Sequence, residues 1–155
     1  MFTSREIIDL AVRIEKNGEA VYRKAMNEVS DLSLQSLLRR FADDEAEHTV
    51  WFSELLSRLP DGPAADEALQ DMAKSILEGI LGDQSFSLQE ADFSRMEHVD
   101  QLIGTALEFE KDTILFYEMI GAMIQEPDIQ ARLREIIEEE QRHVRQLEKL
   151  LISKP

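Results

Sequence analysis

The feature of this sequence that most limits its possible folds is an internal repeat. An offset of 95 residues, which aligns Glu15 with Glu110, brings matching apolar and polar residues together, and within each copy they recur every seven residues. The first line of residues comprises Ile8, Glu15, Tyr22 and Val29, and its counterpart comprises Ile103, Glu110, Tyr117 and Ile124. Seven residues make about two turns of an α-helix, so each line follows one helix face. The repeat therefore predicts two copies of one helical unit.

A second helix in each copy extends the repeat. Its inward-facing residues are Leu38, Phe41, Glu45, His48, Phe52 and Leu55 in the first copy, and Leu133, Ile136, Glu140, His143, Leu147 and Leu150 in the second. Residues that favour turns and helix starts, Ser30-Asp31 and Glu126-Pro127, separate the two helices of each copy. Each copy is therefore expected to form an antiparallel helical hairpin.

Composition supports helices throughout the chain. With only 6 Gly and 4 Pro in 155 residues, there are few residues that break helices. Periodicity and turn signals predict five helical segments, at 3–28, 32–58, 65–81, 97–124 and 128–152. We therefore predict an all-α fold, a four-helix bundle with a long crossover that contains the short third segment. Its parts are a first hairpin at 3–58, a crossover at 59–96 and a second hairpin at 97–152, within a single domain at 1–155.

The short connecting helix has an apolar stripe that predicts a further contact. Its residues are Leu69, Met72, Ile76 and Ile80, which stand at helical spacing. Such a stripe must lie on the bundle or on another subunit, because a continuous apolar surface is unfavourable in water. A homodimer is therefore one expected assembly.

Charge and composition exclude several classes of function. The chain has 17 Lys and Arg against 32 Asp and Glu, a formal net charge of -15, so nucleic acid would be repelled. The absence of Cys excludes disulfides, thiolate zinc sites and iron-sulfur clusters. The longest apolar runs are far shorter than the roughly 20 residues of a membrane-spanning helix, and the N-terminus lacks the apolar core of a signal peptide. We therefore expect a cytoplasmic protein that binds no membrane.

Polar residues within the apolar lines predict a metal centre. The midpoint between Glu15 and Glu45 falls in the first predicted turn, and the midpoint between Glu110 and Glu140 falls in the second. In an antiparallel hairpin this places the two glutamates of each pair at the same level. Unpaired charges on inward-facing surfaces are costly, so something must compensate them. We expect a single metal-binding cluster of Glu15, Glu45, His48, Glu110, Glu140 and His143.

The cluster has the composition of a dinuclear carboxylate site. In ferritin-like bundles, two helices each supply a Glu and the other two each supply a Glu-x-x-His pair. Here the pairs are Glu45 with His48 and Glu140 with His143. Two divalent ions would neutralise the four carboxylates. Oxygen ligands with two imidazoles suit two iron ions, with manganese as an alternative, and zinc is an adventitious candidate because its affinity for such ligands is high.

Three residues beside the cluster have alternative roles. Tyr22 and Tyr117 are inward aromatic residues, which are either part of the core or hydrogen-bond donors to ligand carboxylates. Glu19, one turn after Glu15, is either an additional carboxylate of the cluster or an exposed partner for Arg23.

The chain resembles the rubrerythrin-type di-iron proteins of the ferritin-like superfamily over essentially its whole length. The matching motifs are Ile14-Glu15-Lys16 with Tyr22, Glu45 with His48, Phe109-Glu110-Lys111 with Phe116-Tyr117, and Glu140 with His143. The resemblance implies a di-iron centre that reduces hydrogen peroxide or dioxygen with electrons from a redox partner. It also implies that the six residues of the cluster are both the metal ligands and the catalytic residues.

Two departures from the rubrerythrin pattern affect the expected activity. Rubrerythrins proper have a rubredoxin-like iron site built from cysteines, and this chain has no Cys, so its electrons are expected to come from an external donor protein. Rubrerythrins also tend to have a further Glu one turn after the third-helix ligand, where this chain has Thr113. A ferroxidase or iron-storage module is therefore the alternative function. A catalytically idle helical interaction protein is the second alternative.

Overall fold

The structure is a computed structural model that describes residues 4–59 and 96–152. The described residues form four α-helices, namely α1, Ser4–Glu28; α2, Leu32–Arg58; α3, Met96–Met123; and α4, Pro127–Ile152. Each helix begins and ends within one residue of its predicted bounds, which confirms the helical prediction for these parts of the chain. The predicted short helix at 65–81 and its apolar stripe lie outside the described residues, so the homodimer stays a prediction.

The four helices belong to two compact units. The first hairpin consists of α1 and α2, and the second hairpin consists of α3 and α4. The residues predicted to face inward are buried, among them Ile8, Phe41 and Phe52 in the first hairpin and Ile103, Leu133 and Ile136 in the second. The exceptions are Ile124 and Leu150, which are half-buried. Within the described ranges, no helix is long and apolar enough to cross a membrane.

The turn of the first hairpin is closed by side chains that bind the helix ends. Asp31 is the N-cap of α2, and its carboxylate accepts a hydrogen bond from the Ser33 backbone N at 3.1 Å. Gln35 reaches back from α2 and donates from Nε2 to the Val29 carbonyl at 2.6 Å. These contacts confirm the turn and cap predicted at Ser30-Asp31.

The turn of the second hairpin uses the same contact at repeat-related positions. Gln130 Nε2 donates to the Ile124 carbonyl, as Gln35 does to the Val29 carbonyl. α4 begins at Pro127, where the missing N–H is tolerated because the first N–H groups of a helix have no partner within it. The repeat therefore includes the turns, which set how the two helices of each hairpin are aligned.

The open end of the first hairpin is held by Arg5 of α1. Its Nη1 donates to the carbonyls of Leu56 and Leu59, at 3.1 and 2.6 Å. These carbonyls lie at the end of α2, where backbone acceptors lack helical partners and attract positive charge. Because the start of α1 contacts the end of α2, the hairpin is antiparallel as predicted.

Candidate metal centre

Few polar side chains are buried in the described parts of the chain. The buried polar and charged residues there are Glu15, Glu45, His48, Glu110, Thr113, Glu140 and His143, each at most 2% exposed. Six of the seven are the predicted metal ligands. Burying glutamate and histidine without compensation is costly, so this pattern is not that of an ordinary core. Their role as ligands stays a prediction, and the geometry of each hairpin bears on it.

In the first hairpin, α1 and α2 bring three of these side chains together. Glu15 projects from α1, while Glu45 and His48 stand three residues apart on α2 and therefore share one face of that helix. Carboxylate oxygens and an imidazole nitrogen of the three lie within 4.8 Å of one another. His48 Nδ1 is 3.4 Å from Glu15 Oε1, longer than the usual hydrogen bond of about 2.7–3.2 Å. The three side chains thus offer ligand atoms around a common point.

The second hairpin repeats this arrangement. Glu110 projects from α3, and Glu140 and His143 project from one face of α4. Their ligand atoms also lie within 4.8 Å of one another. His143 Nδ1 is 3.4 Å from Glu140 Oε2 and 3.7 Å from Glu110 Oε1. Each hairpin therefore contains one cluster of two carboxylates and one imidazole.

In the second cluster, burial and mutual repulsion disfavour two ionised carboxylates side by side. The pKa of Glu110 is raised from its ordinary value of 4.5 to about 8, first by burial and then by the neighbouring Glu140 carboxylate, while His143 opposes the rise. Burial and the neighbouring carboxylate therefore favour the protonated form of Glu110. A bound cation would favour the ionised carboxylate, so metal binding at this residue would be linked to proton release.

The donor atoms of each cluster fit a transition metal ion. Carboxylate and imidazole together are a combination that iron and manganese accept. Both Glu-x-x-His pairs keep the spacing found in di-iron bundles, and each lies opposite a second buried carboxylate on the other helix of its hairpin. The residues that would hold the predicted iron are Glu15, Glu45 and His48 in the first hairpin and Glu110, Glu140 and His143 in the second.

The two predicted tyrosines are both buried. Tyr22 packs against Phe41, with ring centroids 5.3 Å apart and an interplanar angle of 62°. Tyr117 lies beside Phe116, with ring centroids 6.1 Å apart. The ring contact of Tyr22 is the edge-to-face arrangement that aromatic pairs favour in cores. Donation from either hydroxyl to a ligand carboxylate stays a prediction.

Glu19 takes part in an ion pair rather than in the metal cluster. Arg23 Nε donates to Glu19 Oε2 at 2.7 Å, and Nη2 of the same guanidinium group donates to Asp43 Oδ1 at 3.1 Å. These hydrogen bonds to Glu19 and Asp43 raise the pKa of Arg23. Of the two roles predicted for Glu19, the partnership with Arg23 is confirmed, although the Glu19 side chain is half-buried and not exposed as predicted.

One residue beside the first cluster was not predicted. Gly18 stands one turn after Glu15 and is buried against the Glu45 side chain. Its repeat-related residue is Thr113, which is buried and donates from Oγ1 to the Phe109 carbonyl at 2.8 Å. The sequence signal is a glycine inside a helix at a position where the other copy has a larger residue.

The chain is similar to known proteins in both sequence and fold. Residues 6–151 match the rubrerythrin family. The fold is similar to the crystal structure of a protein from Thermotoga maritima described as a ferritin-like diiron-carboxylate protein, with 20% sequence identity, a TM-score of 0.78, and coverage of 98% of this chain and 96% of that chain. No curated protein matches the chain significantly. The structural match confirms the predicted ferritin-like four-helix bundle. Because the family match spans nearly all of the sequence, the chain belongs to the rubrerythrin family.

Proposed function

We propose that this protein is a di-iron oxidoreductase of rubrerythrin type, which reduces hydrogen peroxide or dioxygen with electrons from an external donor protein. The main supporting observation is the repeated cluster, since each hairpin buries two glutamates and one histidine at repeat-related positions. In ferritin-like di-iron bundles, such residues project inward from all four helices. Family and fold therefore support one dinuclear site to which both hairpins contribute.

The buried residues have three tasks in this proposal. The four carboxylates bind two divalent ions and offset their charge, and the two imidazoles complete the ligand sets. Two bound iron ions would supply the electrons that the oxidant takes up. The apolar side chains around each cluster exclude bulk water, which limits side reactions of the reduced centre.

The proposed reaction needs an electron source outside the chain. Reduction of one hydrogen peroxide consumes two electrons and two protons and yields two waters. The chain has no Cys and therefore cannot form a thiolate-bound iron site of its own. We propose a separate redox protein as the donor.

Single-turnover and multiple-turnover kinetics test this proposal. The metal-free protein is loaded anaerobically with two ferrous ions per chain and mixed with hydrogen peroxide in a stopped-flow instrument. We expect one rapid oxidation without a reductant, and sustained peroxide loss only when ascorbate with a phenazine mediator is present. Protein without iron measures the background. Peroxide loss at the background rate would overturn the proposal.

A ferroxidase is the alternative function, and Thr113 is the observation that favours it. This residue is buried, neutral and hydrogen-bonded within its own helix, where rubrerythrins tend to have another carboxylate. A ferroxidase treats ferrous ion as its substrate, and two ferrous ions with one peroxide and two protons give two ferric ions and two waters. Oxidation of many equivalents of added ferrous ion without an electron donor would favour this alternative.

A further inference from the structure

Gly18 occupies an unusual place for a glycine. It lies in the interior of α1, where glycine is less favourable than alanine because it orders a more flexible backbone. Its φ is not positive, so the backbone does not require a glycine there. Gly18 is also buried, so the reason for a glycine at this position is to be sought in what packs against it.

The Glu45 side chain fills the space that a larger residue at position 18 would need. A Cβ added to Gly18 would lie 2.9 Å from Glu45 Oε2, 3.3 Å from Cδ and 3.5 Å from Cγ. The distance of 2.9 Å to Oε2 is shorter than the distances that real Cβ atoms keep from neighbouring heavy atoms. The carboxylate of Glu45 therefore lies directly against the backbone of α1, in a place that only glycine leaves open.

The second hairpin differs at this position. Thr113 corresponds to Gly18 in the repeat, and Glu140 corresponds to Glu45. Thr113 is buried, and its side chain is fixed by the hydrogen bond from Oγ1 to the Phe109 carbonyl. The position that Glu45 uses in the first hairpin is therefore occupied by a side chain in the second.

We propose that Gly18 is a positioning residue that determines where the Glu45 carboxylate lies and thereby makes the first cluster bind its metal ion differently from the second. This inference rests on the proposed function, because it treats Glu45 as a ligand. Gly18 itself contacts no metal ion in this scheme. It acts by leaving room for a carboxylate on the neighbouring helix.

The variant Gly18→Ala tests the inference, with Gly104→Ala as the matched control. Both changes replace a helical glycine by alanine, but a Cβ at Gly104 meets no heavy atom within 4 Å. Metal-free, full-length protein is titrated with Co²⁺ and followed by its visible absorption spectrum. We expect the wild type and Gly104→Ala to bind two ions alike. Gly18→Ala should bind one of the two ions about tenfold more weakly, because changing a residue that supports a metal ligand typically lowers metal affinity by at least this factor. Its visible absorption bands should also differ from those of the wild type.

A double variant assigns the effect to the Glu45 side chain. In the Glu45→Ala background the space beside position 18 is open, so Gly18→Ala should cause no further loss of Co²⁺ affinity. Because Oε2 is the end of a flexible side chain, Gly18→Ala is expected to fold and to melt no lower than the wild type when metal-free. If Gly18→Ala folds only when Glu45→Ala is also present, that result would support the contact between position 18 and the Glu45 side chain. If Gly18→Ala fails to fold both with and without Glu45→Ala, the inference would be overturned.

The outcomes separate this inference from the proposed function. A wild type that binds no Co²⁺ would overturn the proposed function, and the inference with it. A wild type that binds two ions, together with a Gly18→Ala variant of equal affinity and spectrum, would overturn the inference alone. An equal loss in Gly18→Ala and Gly104→Ala would also overturn it, because the effect would then belong to the helix and not to Glu45.

Discussion

The two hairpins present the same candidate ligands in different surroundings. Each buries two glutamates and one histidine, and each closes its turn with a glutamine that donates to a backbone carbonyl. Beside the clusters they diverge, because Glu19 pairs with Arg23 in the first hairpin while the corresponding residue in the second is the apolar Ile114. Gly18 likewise corresponds to Thr113. The shared glutamates and histidines are therefore what a metal centre would require of both hairpins, whereas the residues that differ would adjust the surroundings of each cluster separately.

The largest expected effect comes from removing one candidate ligand from either hairpin. Glu45→Ala and Glu140→Ala should each slow peroxide oxidation of the ferrous protein at least about 100-fold, because a dinuclear centre needs both halves. Stopped-flow absorbance after anaerobic iron loading measures the rate. Glu47→Ala and Glu138→Ala remove exposed glutamates from the same two helices and should react like the wild type. A variant of either hairpin that kept most of the wild-type rate would show that this hairpin is dispensable.

Metal removal should have the next largest effect, on stability. Each ion that binds only the folded chain stabilises it by about 2.7 kcal/mol at a free concentration 100 times its Kd. For a chain of this size each bound ion therefore raises the melting temperature by roughly 5–10 °C. Calorimetry in Mn²⁺ and then in EDTA measures the difference. The double variant Glu45→Ala/Glu140→Ala should melt alike in both, and a wild type unaffected by EDTA would argue against clustered carboxylates.

The pH dependence of the metal-free protein tests the surroundings of Glu110 in the second hairpin. Because the pKa of Glu110 is about 8 in the folded chain against an ordinary 4.5, the folded chain holds a proton there that the unfolded chain has lost. Stability should therefore fall as pH rises from about 5 to 8, by up to about 1.4 kcal/mol per pH unit. Denaturant unfolding in EDTA measures it. Glu110→Gln should flatten the profile, whereas Glu118→Gln, which removes an exposed carboxylate from the same helix, should not.

The smallest expected effect concerns Thr113. A carboxylate at this position should favour the ferric state of the centre, because it adds a negative charge close to the candidate ligand Glu110. Thr113→Glu should therefore speed peroxide turnover, by about tenfold or less. Thr105→Glu, in the same helix but not beside the cluster, is the control. Equal peroxide rates in the wild type and Thr113→Glu would show that this account of the position is wrong.

The hairpins and the candidate ligands were predictable because they depend on local spacing. Any helix places Glu45 and His48 on one face, since they stand three residues apart, and the repeat does the same for the second pair. The helix starts at Asp31 and Pro127 were predictable because single residues determine them, through a capping carboxylate and a fixed φ.

The level at which the two glutamates of a hairpin meet was predictable from the turn position, but the detailed atomic contacts between side chains of different helices were not. The place of the Glu45 carboxylate against Gly18 depends on the rotamer of Glu45 and on the separation of α1 and α2, and neither can be read from the sequence. The choice between two roles for Glu19 likewise needed the structure. Its partner Arg23 also donates to Asp43, which lies 20 residues further along the chain on the next helix.

Anomalous X-ray diffraction from crystals of the iron-loaded protein would test most directly the proposal that the two hairpins contribute equivalent clusters to one dinuclear centre. If they do, we expect two iron peaks per chain, about 3.5–4 Å apart. One should contact Glu15, Glu45 and His48, and the other should contact Glu110, Glu140 and His143, with carboxylates shared between them. A single peak, or two peaks each enclosed by one hairpin and too far apart to share a carboxylate, would contradict it.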